Sequence, residues 1–216
     1  TLASDNYYKL VIVLAGTTNI LLDQTLERLR EDLNNRNEYV IIPEAGIDKV
    51  TRISQIVKNK INKRTVILPI LKQWQHIEKL CDLFSSPQLN MLLPRLGVLI
   101  IDDEADQASL NGFARRNYKL SKRKNIDDIK DDDEKSAFKF STTYNRISNL
   151  KTLIPNHSYI QYTATPQANL LLGQRDLLRP TWCEVLDPGN KYTGGKRFFN
   201  NELDLINEIE KENVKG

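Results

Sequence analysis

The chain is poor in the residues that build metal centres and disulfide frameworks. Cys81 and Cys183 are its only cysteines, and His76 and His157 its only histidines. They are far apart and lack metal-ligand spacing, which argues against a zinc site. So little cysteine points to a reducing compartment, and the expected location is cytoplasmic. Each cysteine reads as a small packed hydrophobe rather than a nucleophile. No apolar run approaches the ~20 residues of a membrane span, so no membrane is expected among the partners. Residues 1–9 are polar and lack the apolar centre of a signal peptide. An excess of one charge is also missing. The 31 Lys and Arg against 28 Asp and Glu leave a net charge of +3. That is too mild to indicate nucleic acid unless local clusters supply the contacts. There is no internal repeat.

What is present is a series of short apolar runs. Residues 10–14 (LVIVL), 65–70 (TVILPI) and 97–101 (GVLII) are nearly continuous, the pattern of strands covered on both faces of a parallel sheet. Residues 158–162 (SYIQY) form a fourth strand, and 39–42 (YVII) a weaker fifth. Between them lie helical patterns. Leu22, Leu26, Leu29 and Leu33 share one face of a helix over 19–33. Residues 47–61 form a second candidate. Trp74, Ile77, Leu80, Cys81 and Phe84 give a third a stripe over 73–84. Alternating strands and helices predict a doubly wound α/β sheet with right-handed crossovers.

From about 110 to 140 the composition changes. A basic block (Arg115, Arg116, Lys119, Lys122, Arg123, Lys124) precedes an acidic one (Asp127, Asp128, Asp131 to Glu134). Such a stretch buries little apolar surface and reads as a mobile charged loop. Residues 142–153 then look helical. Beyond Leu172, Pro180, Pro188, Gly189, Gly194 and Gly195 mark turns, and 201–214 reads as a charged helix. Trp74 and Trp182 read as packed.

Chemistry concentrates in two strings. In GVLIIDDEADQAS (97–109) an apolar strand runs into carboxylates. The carboxyl ends of strands in an open parallel sheet face the ligand crevice. A carboxylate there can hold Mg²⁺ through water, and its neighbour can orient or deprotonate an attacking water. Asp103 is assigned to the metal and Glu104 to the water. Asp102 sits nearer the strand, so the register of these roles is open by one residue. In YIQYTATPQANLLL (159–172) a strand ends in Thr163 and Thr165. Their hydroxyls can donate to a carboxylate on the adjacent strand, while Pro166 holds Thr165 extended.

Taken together, DEAD at 103–106 and TATP at 163–166 resemble motifs II and III of superfamily 2 helicases. VIVLAGTTNILLDQTLERL (11–29) resembles motif Ia, including Gln24, and TVILPILKQ (65–73) occupies the place of motif Ib. The longer strings DDEADQAS, YTATPQANLLL, VLAGTTN and LDQTLERL are similar to the Z-one domain family. These are helicase-like proteins once labelled putative endonucleases and associated with bacterial restriction-modification and phage defence. The likeness covers residues 7–172 and, more loosely, LDPGNKYTGGKRF. It implies a RecA-like motor domain over 1–172 and the start of a family-specific segment over 173–216. It implies ATP and Mg²⁺ as ligands, with Asp103 on the metal and Glu104 as the catalytic base. Asp106, Thr163 and Thr165 would couple the ATP site to the nucleic-acid face. Gly16, Thr17, Thr18 and Lys72 would lie along the nucleic-acid backbone, contacts that carry no base preference. The implied partners are nucleic acid, with DNA favoured and RNA left open, a second motor domain of the same protein, and other defence-system subunits.

The chain departs from that pattern in having no G-x-x-x-x-G-K-[ST] loop; the family order places one upstream of Thr1. A fragment of this kind is expected to hydrolyse little ATP alone. Two other readings stay open. One is a metal-dependent endonuclease using Asp102, Asp103, Glu104 and Asp106, though no Asp/Glu-x-Lys element accompanies them. The other is a non-catalytic RecA-like scaffold.

Overall fold

The computed structural model describes residues 2–33, 36–43, 57, 60–61, 63–107, 132–170, 172, 176–187 and 189, with the side chains of 132–141 and 168 excepted. Contacts divide the chain into two compact units, Thr1–Pro180 and Thr181–Gly216. In the second, the described residues lack regular structure, and Trp182, Val185 and Leu186 are exposed. Trp182 is therefore not the packed residue expected. The segment 201–214 lies outside the described residues.

The first unit holds strands β1 (Tyr8–Ala15), β2 (Tyr39–Ile41), β3 (Thr65–Leu71), β4 (Gly97–Asp102) and β5 (His157–Gln161). They form one sheet in the order β2-β3-β1-β4-β5, every pair parallel. Its helices are α1 (Leu2–Asp5), α2 (Asn19–Asp32), α3 (Trp74–Ser85), α4 (Pro87–Asn90), α5 (Asp132–Leu153) and α6 (Gln167–Leu170), with a 3₁₀ turn at Leu93–Arg95. The expected α/β architecture with a parallel sheet is observed. All five apolar runs became strands, each within a residue or two of its expected limits.

Strand alternation divides the core. Leu10, Ile12, Leu14, Val66, Leu68, Ile70, Val98 and Ile100 pack with Ile77, Leu80 and Phe84 of α3 and Ile147 and Leu150 of α5. The opposite-facing Val11, Val13, Ala15, Ile67, Leu71 and Leu99 pack with Leu22 and Leu26 of α2. Full burial of each such aliphatic side chain is worth roughly 1.5–3 kcal/mol, so the central strands are the most firmly held part of the unit.

Pro69 sits inside β3 without breaking the sheet. Thr65 N–H donates to Glu38 O (2.8 Å), and Ile67 O accepts from Ile42 N–H (2.9 Å), so residues 65 and 67 face β2. Position 69 faces the same way but lies beyond Ile67, the last residue paired with β2. A missing N–H costs little there.

α5 begins ten residues before the expected helix at 142, taking in the end of the acidic block; acidic residues in a first turn favour the helix dipole. The rest of the charged loop, 108–131, lies outside the described residues. So does most of the candidate helix 47–61, of which Val57, Lys60 and Ile61 are helical, with Val57 and Ile61 buried.

β1 ends at Gly16, which adopts φ +39°; a Cβ there would lie 2.7 Å from Leu21 Cβ. Both the left-handed backbone and the contact demand glycine. Gly16→Ala is expected to lower stability by about 1–3 kcal/mol, read as a lower urea midpoint at unchanged m-value; a midpoint equal to wild type would remove Gly16 as a required turn.

Candidate functional site

The parallel register brings the carboxyl ends of β1, β3, β4 and β5 to one rim. Asp102 closes β4, opposite Leu14 of β1 and Gln161 of β5. The turn 103–107 is then braced from both sides. Asp103 N–H donates to Leu14 O (3.1 Å), and Ala105 N–H to Tyr162 O (2.9 Å). Gln107 N–H closes the turn on Glu104 O (2.8 Å). Ala105 is fully buried, and its carbonyl accepts from Asn169 Nδ2 of α6 (3.4 Å).

Lys72 is not where the motif likeness puts it. Instead of lining an open track it is 1% exposed. Alternation along β3 aims it to the same side as Val66, Leu68 and Ile70, as alternation along β4 aims Asp102 with Val98 and Ile100. Its ammonium donates to Asp102 Oδ1 (3.0 Å), to Glu104 O (2.7 Å) and to Asp103 O. Those three acceptors use all three ammonium protons, and none remains for a nucleic-acid phosphate. Asp102 Oδ2 accepts the hydroxyl of Tyr159. Burial, then the charge of Asp102, hold that phenol well above its ordinary pKa. Side-chain exposure of the Lys72–Asp102 pair is nil on both partners. Removing one partner of such a pair typically costs ~3–5 kcal/mol, because a bare charge is left inside.

Asp102 is thus committed to Lys72 and Tyr159, and Asp103 and Glu104 are the acids left at the rim. Both are half-buried. Asp103 Oδ1 accepts the N–H of Glu104 (3.1 Å). Glu104 adopts φ +50°, a left-handed backbone unusual for a residue with a side chain. A conformation of that kind costs on the order of 1–3 kcal/mol and persists where neighbours over-determine it. Here Lys72 and Gln107 both hold the Glu104 carbonyl.

Asp106 lies at the far end of the turn. Thr163 Oγ1 donates to its Oδ1 (2.8 Å) and Thr165 Oγ1 to its Oδ2 (2.5 Å). Thr165 N–H in turn donates to Thr163 Oγ1 (3.0 Å). Burial alone would raise the pKa of Asp106. The hydroxyls of Thr165 and Thr163, its own backbone N–H and the charge of Lys72 outweigh that and lower it. The structure thus brings together the two groups that the sequence placed on adjacent strands.

The loops after β1 and β3 adjoin this turn. Gly16 O accepts Lys72 N–H (2.9 Å), and Thr17 O accepts Gln73 Nε2 (3.0 Å). Gly16 is buried, Thr17 half-buried and Thr18 exposed. Thr18 caps α2 by accepting Leu21 N–H (3.4 Å). Gln24 is exposed on α2. The sequence reading missed Lys72 and Tyr159 as partners of Asp102. The signal for Lys72 was parity, since it continues the buried set Val66, Leu68 and Ile70 of β3; β5 holds no buried residue and gave no such signal for Tyr159.

Among the described residues no group of three or more His, Cys, Asp or Glu side chains is placed to hold a metal ion. Mg²⁺ bound with a nucleotide needs less, taking one or two carboxylates and keeping waters and phosphate oxygens. Asp103 fits that requirement. A site carried by two metals and four acids does not fit, since Asp102 is committed to Lys72 and Tyr159, and Asp106 to two threonines. Cysteine chemistry has no foothold at the rim. Burial pushes the Cys81 thiol up to about 11, and Cys183, expected to be packed, is exposed. Among the described residues no helix is long and apolar enough to cross a membrane. No family model, curated protein or solved structure matches the chain.

A lowered carboxylate pKa makes a contribution to stability that is complete above the ordinary value of 3.8 and is lost as pH falls through the folded-state value. Replacing both Thr163 and Thr165 by Val is expected to raise the Asp106 pKa, followed by carboxyl ¹³C NMR, and to make acid unfolding begin at higher pH. An Asp106 titration unmoved by the double change would show that the hydroxyls do not hold it.

Proposed function

We propose that this chain is a RecA-like motor domain of a nucleic-acid-dependent ATPase of the superfamily 2 helicase type. One observation carries the reading: Asp106 is held by both Thr163 and Thr165 at the rim where Asp103 and Glu104 stand. An acid-to-hydroxyl link between neighbouring strand ends gives a nucleotide site a route by which its occupancy can shift the segment after β5. An acidic turn serving only as a helix start would need no such partner.

In this reading Asp103 would hold Mg²⁺ through water, and the ion would neutralise charge on the phosphates. Glu104 would orient or deprotonate the water that attacks the terminal phosphorus. Asp106, Thr163 and Thr165 would transmit the change. The loop of Gly16, Thr17 and Thr18 would face the nucleic-acid backbone. Lys72 is withdrawn from that track by its burial. β5 supports the placement of the nucleotide. Among the described residues no strand pairs with its outer edge, and Ile160 and Tyr162 are 40% and 51% exposed. A further parallel strand bearing a phosphate-binding loop would fit beside it and face Asp103. The resemblance to the Z-one domain family adds DNA as the preferred nucleic acid, a second motor domain as the partner that closes the site, and a place in restriction or phage defence. The endonuclease alternative is weakened by the commitment of Asp102 and Asp106 to other partners.

In the complete protein, Glu104→Gln is expected to keep ATP affinity while phosphate release falls roughly 10²–10⁴-fold, the range that a positioned base contributes. Binding of a fluorescent nucleotide and a coupled phosphate assay check both halves. Turnover equal to wild type would remove Glu104 from the chemistry. Metal-dependent DNA cleavage without ATP, abolished by Asp103→Ala, would favour the endonuclease.

A further inference from the structure

The buried ammonium of Lys72 spans an unusual distance in the sheet. Lys72 follows β3, whereas its three acceptors belong to β4 and the turn beyond it, and β1 lies between these strands. Two strand spacings of about 4.8 Å must be crossed. A long unbranched side chain can do that, passing the end of β1 where Gly16 turns the backbone away at φ +39°. Lys72 N–H fixes its own end of the span by donating to Gly16 O (2.9 Å).

The three acceptors are of two kinds. Asp102 Oδ1 supplies the opposite charge that makes a buried ammonium tolerable. The carbonyls of Asp103 and Glu104 belong to the two residues whose side chains remain at the rim. A carbonyl direction sets the peptide plane on its C-terminal side. Lys72 therefore fixes the peptides that follow Asp103 and Glu104, and with them the left-handed backbone at Glu104. An ammonium with three divergent donors suits this tripod, while a planar guanidinium does not.

We infer that Lys72 is a positioning residue: seated on Asp102, it clamps the carbonyls of Asp103 and Glu104 and so sets where their carboxylates stand. What the carboxylates act on rests on the ATPase reading above; the clamp itself does not. The inference gives the loop after β3 a task inside the hydrolytic site instead of a contact with nucleic acid.

The test uses the complete protein and two variants. Lys72→Met combined with Asp102→Asn removes both charges, so no bare charge remains inside, and the asparagine still accepts the Tyr159 hydroxyl. Lys72→Arg keeps the charge opposite Asp102 but not the tripod. Amide hydrogen exchange is read at Ala105 and Gln107 in the turn and at residues 99–101 in β4. In both variants the turn amides are expected to exchange at least about tenfold faster while β4 keeps its protection. ATP turnover at saturating nucleotide is expected to fall at least about tenfold. The Mg²⁺ concentration for half-maximal rate should rise, and single-stranded DNA affinity should stay within about twofold. If the double variant loses protection throughout β4, Lys72→Arg alone decides. Turn amides that exchange as in wild type in a folded variant would overturn the clamp. So would weaker DNA binding with a smaller salt dependence and unchanged turnover at saturating DNA, the behaviour of a phosphate contact. If the complete protein hydrolyses no ATP, the ATPase reading fails while hydrogen exchange still decides the clamp.

Discussion

A lysine and an aspartate with no access to water hold the rim of this sheet in shape. Charges in such a place must be paired and fully hydrogen-bonded or they are not tolerated. Lys72 and Asp102 meet that condition with one ion pair, two main-chain carbonyls and one tyrosine hydroxyl. The pairing reaches further than its own contacts. Tyr159 carries Lys151 above its ring, 4.5 Å from the centroid, and Lys151 donates to Leu177 O (2.5 Å). The segment leaving the first unit is thus anchored on the same tyrosine that closes the pair. Tyr144 adds a second anchor through Asp176 (2.9 Å).

Five consecutive positions, 102–106, four of them acidic, have been sorted by strand geometry into different tasks. Alternation turns Asp102 inwards, where it answers Lys72. It leaves Asp103 and Glu104 half-buried at the mouth, and the turn carries Asp106 across to the hydroxyls beyond β5. The apolar interior of β1, β3 and β4 makes this sorting reliable, because a register slip of one residue would turn Asp102 to the opposite face and drive Asp103 inwards in its place. The strain at Glu104 belongs to the same arrangement: it is stored in a turn braced by β1, by β5 and by the lysine.

Much of this was legible in the amino-acid order. Runs such as LVIVL and GVLII announced buried parallel strands because a strand covered on both faces has no polar alternation to show. Strand-end placement then put DEAD and TATP at one rim, and the Asp106 contacts follow from that. Lys72 was misread because position within a motif was used in place of parity within a strand. Counting by twos from Val66 gives Leu68, Ile70 and Lys72, an inward set. Nothing local, however, says that the partner is two strands away. The start of α5 was placed late because an acidic block looks solvated whether it is loop or first turn. Gly16 carried its own signal, a glycine between a buried strand and a threonine cap, but its close approach to Leu21 depends on how α2 is seated.

The account stands most directly on where the acids and the lysine lie when a nucleotide is present. A crystal structure of the complete protein with Mg²⁺ and a non-hydrolysable ATP analogue would show this. The account predicts the metal on the Asp103 side of the turn, Glu104 facing the terminal phosphate, and Lys72 still enclosed against Asp102 and the carbonyls of residues 103 and 104. A Lys72 ammonium swung out onto a phosphate, or a metal ligated by Asp102, would contradict it.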